Sequence, residues 1–156
     1  MVRDSVVTGS GADGIRVEAS GGDVTATIEH TLTSKNGGAG LIGASSVSGA
    51  HLRMPARNVI SIRNADQFSA SSSSGGVVDF DMESCSAVGS GAFIGGGVGV
   101  RGTSSSSAVT IRVSNSTITV NTFGTAPTGA GTSILGRGTY VGGKRQQQRL
   151  HGQLQR

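Results

Sequence analysis

Val2-Arg3-Asp4-Ser5, Ile28-Glu29-His30-Thr31, Ile62-Arg63-Asn64-Ala65, Met82-Glu83-Ser84-Cys85 and Val113-Ser114-Asn115-Ser116 are variations on one unit: an apolar strand residue, a polar step and a small residue. Their starting residues are separated by 26, 34, 20 and 31 positions. Self-similarity on that scale marks stacked supersecondary units, each unable to bury its apolar face until a neighbour covers it. The unit therefore predicts a solenoid, and it bears on architecture more directly than on activity.

Outward from that unit the same plan recurs. The first coil continues through Val6-Val7-Thr8, Ser10 and Gly14-Ile15-Arg16-Val17 to a turn at 19–23. The second has Thr31-Leu32-Thr33, Asn36 and Gly40-Leu41-Ile42, then a longer excursion from Ser45 to Arg57. The third, from Ile62, is shortened by the serine run 71–74 and re-enters at Val77-Val78. The fourth passes from Phe80-Asp81-Met82 through Cys85 to Phe93-Ile94, with a glycine bend at 95–97, and the fifth holds Val109–Val113, Asn115–Ile118 and Asn121. The spacing predicts strands of about three to six residues, with glycine supplying positive φ at tight corners. No segment shows helical spacing with caps.

A sandwich would join its strands by tight hairpins, whereas here like residues recur once per unit and can stack on their own kind. An all-β parallel solenoid of about five coils follows, roughly 24 Å long at about 4.8 Å per coil. At 156 residues there is room for one domain. The coils are expected over 1–143, and 144–156 is expected to be a basic, Gln-rich, disordered tail. With 27 Gly, four Phe, one Tyr and no Trp, the core must be narrow and built from small β-branched residues. Regular segments such as Val109–Val113 argue against a low-complexity disordered chain.

The net charge of +4 belongs to the tail. Residues 1–143 carry nine basic and nine acidic groups, and Lys144, Arg145, Arg149 and Arg156 supply the excess. No basic stripe interleaved with aromatics is visible, so nucleic acid is not an expected partner. The lone Cys85 forms no internal disulfide and shares a repeat position with Ser5, Thr31, Ala65 and Ser116, which predicts a buried structural thiol. No apolar run reaches the length of a membrane span, and no basic-then-apolar signal peptide is read at the start.

Eight positions beyond each unit start stand Ser10, Asn36, Ala70, Ser90 and Asn121. Asn36 and Asn121 are therefore candidates for a partial asparagine ladder, bonding the backbone at a corner and the neighbour above.

Asp79-Phe80-Asp81-Met82-Glu83 is the densest polar cluster, and alternation turns Asp79, Asp81 and Glu83 outward in a row. Such a row suits a solvated charged face. As a Ca²⁺ site it is wide, because adjacent outward positions lie about 7 Å apart, so no cofactor is expected. Arg63 and Arg112 are read as lying on the coils before and after, so that Arg63, Asp81 and Arg112 line a shallow groove for an anionic sugar. Arg101 or Arg112 could serve a lyase as cation or base, although nothing in the spacing requires it. His30, His51 and His151 have no metal-ligand spacing, no Ser or Cys sits in a nucleophile elbow, and Gly95–Gly97 lacks the Lys and helix of a phosphate loop.

Asn115-Ser116-Thr117-Ile118-Thr119, Asp4-Ser5-Val6-Val7 and Gly14-Ile15-Arg16-Val17 resemble the right-handed parallel β-helix repeats of bacterial surface and secreted proteins. Such repeats also occur in the pectate-lyase-like, carbohydrate-binding and sugar-hydrolysis superfamily, and the resemblance covers residues 2–143. It implies a right-handed coil and a non-catalytic module at the cell surface or outside the cell, with a glycan or surface ligand. The alternative it implies is the remnant of a polysaccharide lyase or glycoside hydrolase, some of which use a carboxylate-bridged metal. One scaffold hosts many chemistries, and no catalytic pattern of the superfamily carries over residue by residue. The start at Val2 without a polar cap would leave strand edges open, which predicts a truncated fragment prone to edge-to-edge association. Codons can be chosen for residues 144–156 such that deleting one base yields Asn-Gly-Asn-Asn-Ser-Ala-Phe-Thr-Gly-Ser-Phe-Ser, an Asn-rich turn and closing strand. A frameshifted last coil is thus a second expectation for the tail.

Overall fold

The computed structural model describes residues 1–89, 98–105, 107–137 and 140–145. The first coil comprises β1 (Val2–Arg3), β2 (Val6–Thr8) and β3 (Ile15–Ala19). The second comprises β4 (Val24–Thr25), β5 (Ile28–Glu29), β6 (Leu32–Ser34) and β7 (Ala39–Ser45), and the third β8 (His51–Arg57), β9 (Ile60–Ile62) and β10 (Asp66–Ser72). Then come β11 (Val77–Glu83), β12 (Ser86–Val88) and β13 (Val98–Ser104), followed by β14 (Ala108–Ser114) and the long β15 (Thr117–Thr128). The final strands are β16 (Thr132–Arg137) and β17 (Tyr140–Arg145). The described residues contain no helix.

Every strand pairs in parallel with the equivalent strand of the next coil, which makes the chain a parallel β-solenoid of about five turns. It has three faces. Face one stacks β1, β5, β8, β11, β14 and β16, with β4 and β5 sharing one rung against β8. Face two runs β2-β6-β9-β12-β15 and face three β3-β7-β10-β13-β15. β15 belongs to both, because its first residues pair with β12 and its last with β13. Where β15 bends across the corner without a break, two faces become one hydrogen-bonded sheet.

The corners explain why this chain can coil so tightly. After face one, Asp4, His30, Asn58, Ser84 and Asn115 all have positive φ, between 46° and 54°. Four of these five are Asp, Asn or His, side chains that tolerate the left-handed region. Each corner still donates its N–H to the coil above, as when Asn58 donates to Glu83 O at 3.1 Å, so the turn does not orphan these donors.

The core is narrow. Ile28, Ala56, Met82 and Val113 form one inward column of face one, and Met54, Phe80 and Ile111 form another. Facing them, face three keeps an inward column of Val17, Gly43, Ala70 and Gly102. A Cβ on Gly43 would lie 2.8 Å from Met54 Cε and 3.0 Å from Leu52 Cδ2, so the long side chains of face one set the size limit on face three. Phe68 and Phe80, on adjacent coils and opposite faces, meet edge to face with ring centroids 6.3 Å apart.

Several sequence expectations shift here. The third coil starts at Ala56-Arg57-Asn58-Val59, not at Ile62, so face-one starts fall at 2, 28, 56, 82 and 113. The supposed excursion from Ser45 to Arg57 is largely β8, the face-one strand of that coil. Cys85 therefore shares its column with Val59 rather than Ala65, as Ser86 N–H donates to Val59 O. Six strands run to seven residues and β15 to twelve, longer than the glycine spacing suggested. β17 ends at Arg145, so the boundary drawn at 143 falls inside a strand. Residues 146–156, with His151, and the stretch Ser90–Gly97 lie outside the described residues.

Candidate functional site

Two surfaces collect the polar chemistry. On face one, the outward positions of successive coils stack about 4.8 Å apart, close enough that like charges in one column would repel. The column Arg3, Glu29, Arg57, Glu83 alternates in sign instead. Arg3 lies 3.5 Å from Glu29, Arg57 lies 4.0 Å from Glu29, and Arg57 Nε donates to Glu83 at 3.1 Å. In the neighbouring column Arg112 lies directly above Asp81. Its guanidinium donates to Asp81 at 2.9 Å and lies 3.6 Å from Asp79. The hydrogen bond to Asp81 raises the Arg112 pKa above its ordinary value, against the opposing pull of partial burial.

Asp79 is the most withdrawn of the three carboxylates expected to point outward, at 25% side-chain exposure against about half for Asp81 and Glu83. On its other side His51 Nε2 lies 2.7 Å from Asp79 Oδ2. His51 begins β8 and its backbone N–H donates to Asp23, so Asp23, His51 and Asp79 tie three successive coils together. Asp79, Asp81 and Glu83 are thus each engaged by a cation or an imidazole from an adjacent coil. Among the described residues, no group of three or more His, Cys, Asp or Glu side chains is placed to hold a metal ion.

Arg63 does not join this face. Asp81 stands opposite Pro55 on the preceding coil, while Arg63 occupies the corner after β9. The groove of Arg63, Asp81 and Arg112 is therefore not formed. Its premise was a third coil starting at Ile62; with the start at Ala56, Arg57 becomes the partner of Glu83 and Arg63 moves to the next corner. Arg101 lies on face three, held by both carboxylate oxygens of Asp66 at 2.6 and 3.2 Å, and shares no surface with Arg112. Asp66 also accepts from Val98 N–H at 3.0 Å, just as Asp13 accepts from Ala39 N–H one device earlier on the same face.

The second surface surrounds the corner after face two. Asn36 and Asn64 are buried there, Asn36 Nδ2 donating to Asn64 Oδ1 at 2.9 Å. The same Asn64 oxygen accepts Asn36 N–H, and Asn36 Oδ1 in turn accepts Ser10 N–H at 3.0 Å. Asn64 Nδ2 donates to Ser61 Oγ and Gln67 Oε1, extending the ladder into a buried polar network. Asn121 is buried in the equivalent place, donating to Ala87 O at 3.0 Å. Asn64, missed in sequence, stands eight residues beyond the corrected start at Ala56, in the place first given to Ala70. Ala70 is an inward residue of β10. Ser90 lies outside the described residues. Lys35, Asn36, Arg63 and Asn64 border a pocket of about 390 Å³ at this corner.

No helix among the described residues is long and apolar enough to cross a membrane. Fold and surface together define the class as a parallel β-solenoid with an ion-paired face and a buried asparagine ladder. Comparison with family models, curated proteins and solved structures gives no match for this chain.

Proposed function

We propose that this chain is a non-catalytic, right-handed β-solenoid module of a bacterial surface or secreted protein, and that it binds a glycan or another surface across face one. The right hand follows the strong preference of parallel crossover connections. The observation that supports recognition over catalysis is the pairing of Asp79, Asp81 and Glu83 with His51, Arg112 and Arg57. Glycoside hydrolysis needs two carboxyl groups converging on one bond, one to donate a proton and one to assist attack. A row of carboxylates already held by neighbouring coils supplies a flat, polar, regularly spaced surface instead.

The test is binding of the whole chain to immobilised neutral and acidic polysaccharides, with reducing-end release followed in parallel. Binding without release, weakened by Arg112→Ala and untouched by Arg63→Ala, is the expected result. Release of reducing ends would favour the lyase or hydrolase remnant. Retention on no polysaccharide would remove the glycan reading, and sedimentation of the same samples shows whether copies associate edge to edge.

A further inference from the structure

At the corner after face two, Gly9, Lys35, Arg63 and Gly89 occupy one column, with φ of 75°, 53°, 56° and 63°. Glycine adopts that conformation without steric cost and stands at both ends of the column. The two central coils carry long cations there instead. Lys35 N–H donates to Ile62 O and Arg63 N–H to Val88 O, so the two side chains leave backbones a single coil apart, about 4.8 Å.

Most arginines of the stack are matched: Arg3, Arg16, Arg57, Arg101 and Arg112 all form ion pairs. Lys35 and Arg63 have no acidic partner among the described residues. Two like-charged residues thus stand on adjacent coils at a conformationally demanding position, with no acidic partner among the described residues.

Between them lies the pocket of about 390 Å³, within the size range of small-molecule sites. Gly37, Ala65 and Gly89 line it together with Lys35 and Arg63. A Cβ on Gly89 would lie 4.0 Å from Arg63 Cγ, so the arginine stem runs across the corner of the next coil. Asn36 and Asn64 also border the pocket, but their amides are taken up within the ladder. The polarity left for a ligand is cationic, and the remaining wall is apolar.

We propose that this pocket binds a small organic oxyanion, a carboxylate or a phosphate or sulfate ester on a compact apolar body, with Lys35 and Arg63 clasping its charged group. The Arg63 guanidinium offers a planar fork to two oxygens, and Lys35 adds a movable point charge. The apolar body rests on Ala65 and the glycines. The site is separate from face one and does not depend on the reading of that face.

Titration of the labelled full chain with phenyl phosphate, benzoate and inorganic phosphate, followed by amide NMR, tests this. Saturable shifts at Gly37, Ala65 and Gly89 are expected with the first two probes, and weaker binding with inorganic phosphate, which has no apolar body. Lys35→Gly with Arg63→Gly should weaken phenyl phosphate binding at least about tenfold, while Arg53→Gln, which removes an exposed cation from face one, should not. Glycine already stands at this corner in two coils, so the double variant should fold. Should it not, Lys35→Gln with Arg63→Gln makes the same comparison. The proposal is overturned if no probe shifts these amides, if the double variant binds as the parent does, or if inorganic phosphate binds as tightly as phenyl phosphate.

Discussion

Asn64 receives two hydrogen bonds from Asn36, one from its amide side chain and one from its backbone N–H, both at 2.9 Å and both on the same Oδ1. From its other end it donates to Ser61 and Gln67, and both are fully buried. A network so enclosed is costly to break, because each partner left behind loses its bond without regaining water. Asn64→Ala is expected to destabilise the chain by about 2–4 kcal/mol, read as a lowered urea midpoint with an unchanged slope. Asn36→Ala, nearer the first coil, should cost less, since it frees Ser10 N–H in a part-buried place.

Gly40 shows why that network leaves no room. A Cβ there would crowd Ser61 Oγ and lie 2.5 Å from Asn64 Nδ2 and 2.6 Å from Thr33 Oγ1. None of these is the tip of a flexible side chain free to swing away, because Thr33, Ser61 and Asn64 are buried and bonded to one another. Gly40→Ala is therefore expected to cost about 2–4 kcal/mol, whereas Gly21→Ala, in open space, should change stability by less than about 0.5 kcal/mol. Equal urea midpoints for the two variants would contradict the packing described for this corner.

Strand alternation is local, and so the outward row of Asp79, Asp81 and Glu83 was legible in the sequence. Cross-coil partnership is not local. It depends on register, and register depends on loops of unequal length. Two stretches six residues apart, Ala56-Arg57-Asn58-Val59 and Ile62-Arg63-Asn64-Ala65, both fit the unit, and the second has the more strand-like first residue. A start at Ile62 would place Arg63 on face one and would leave Arg57 and Asn64 without their cross-coil partners. With the start at Ala56, the first three spacings become 26, 28 and 26, a regularity that would have favoured this choice. Nothing in the residues alone marked His51 as a partner of Asp79, because the two are 28 positions apart and in different columns.

Removing the Arg112 guanidinium should matter little to stability. It pairs with Asp81 and Asp79, but its side chain is 53% exposed, and solvent screens such pairs. Arg112→Ala is expected to cost less than about 1 kcal/mol. That loss should shrink further when the urea midpoint is measured in about 0.5 M salt rather than about 0.02 M. A salt-independent loss would mean that the arginine stem, not its charge, supports the face.

Burial of Cys85 gives the chain a pH dependence of definite sign. Burial pushes its thiol pKa up, and nearby backbone hydrogen bonds oppose that rise. A raised value in the folded state means that the native protein holds its proton more tightly than the unfolded chain does. The contribution to stability is therefore complete below the ordinary thiol value and is lost as pH rises through it toward the folded value. The Sγ contacts, Glu83 O at 3.4 Å and Ala56 O at 3.5 Å, are carbonyl acceptors that a thiol can satisfy and a thiolate cannot. Relative to Cys85→Ala, the parent chain should lose stability as the pH rises above the ordinary thiol value of about 8.5. At neutral pH a thiol reagent should label it slowly when folded and quickly in urea. Fast labelling of the folded chain would place Cys85 outside the core.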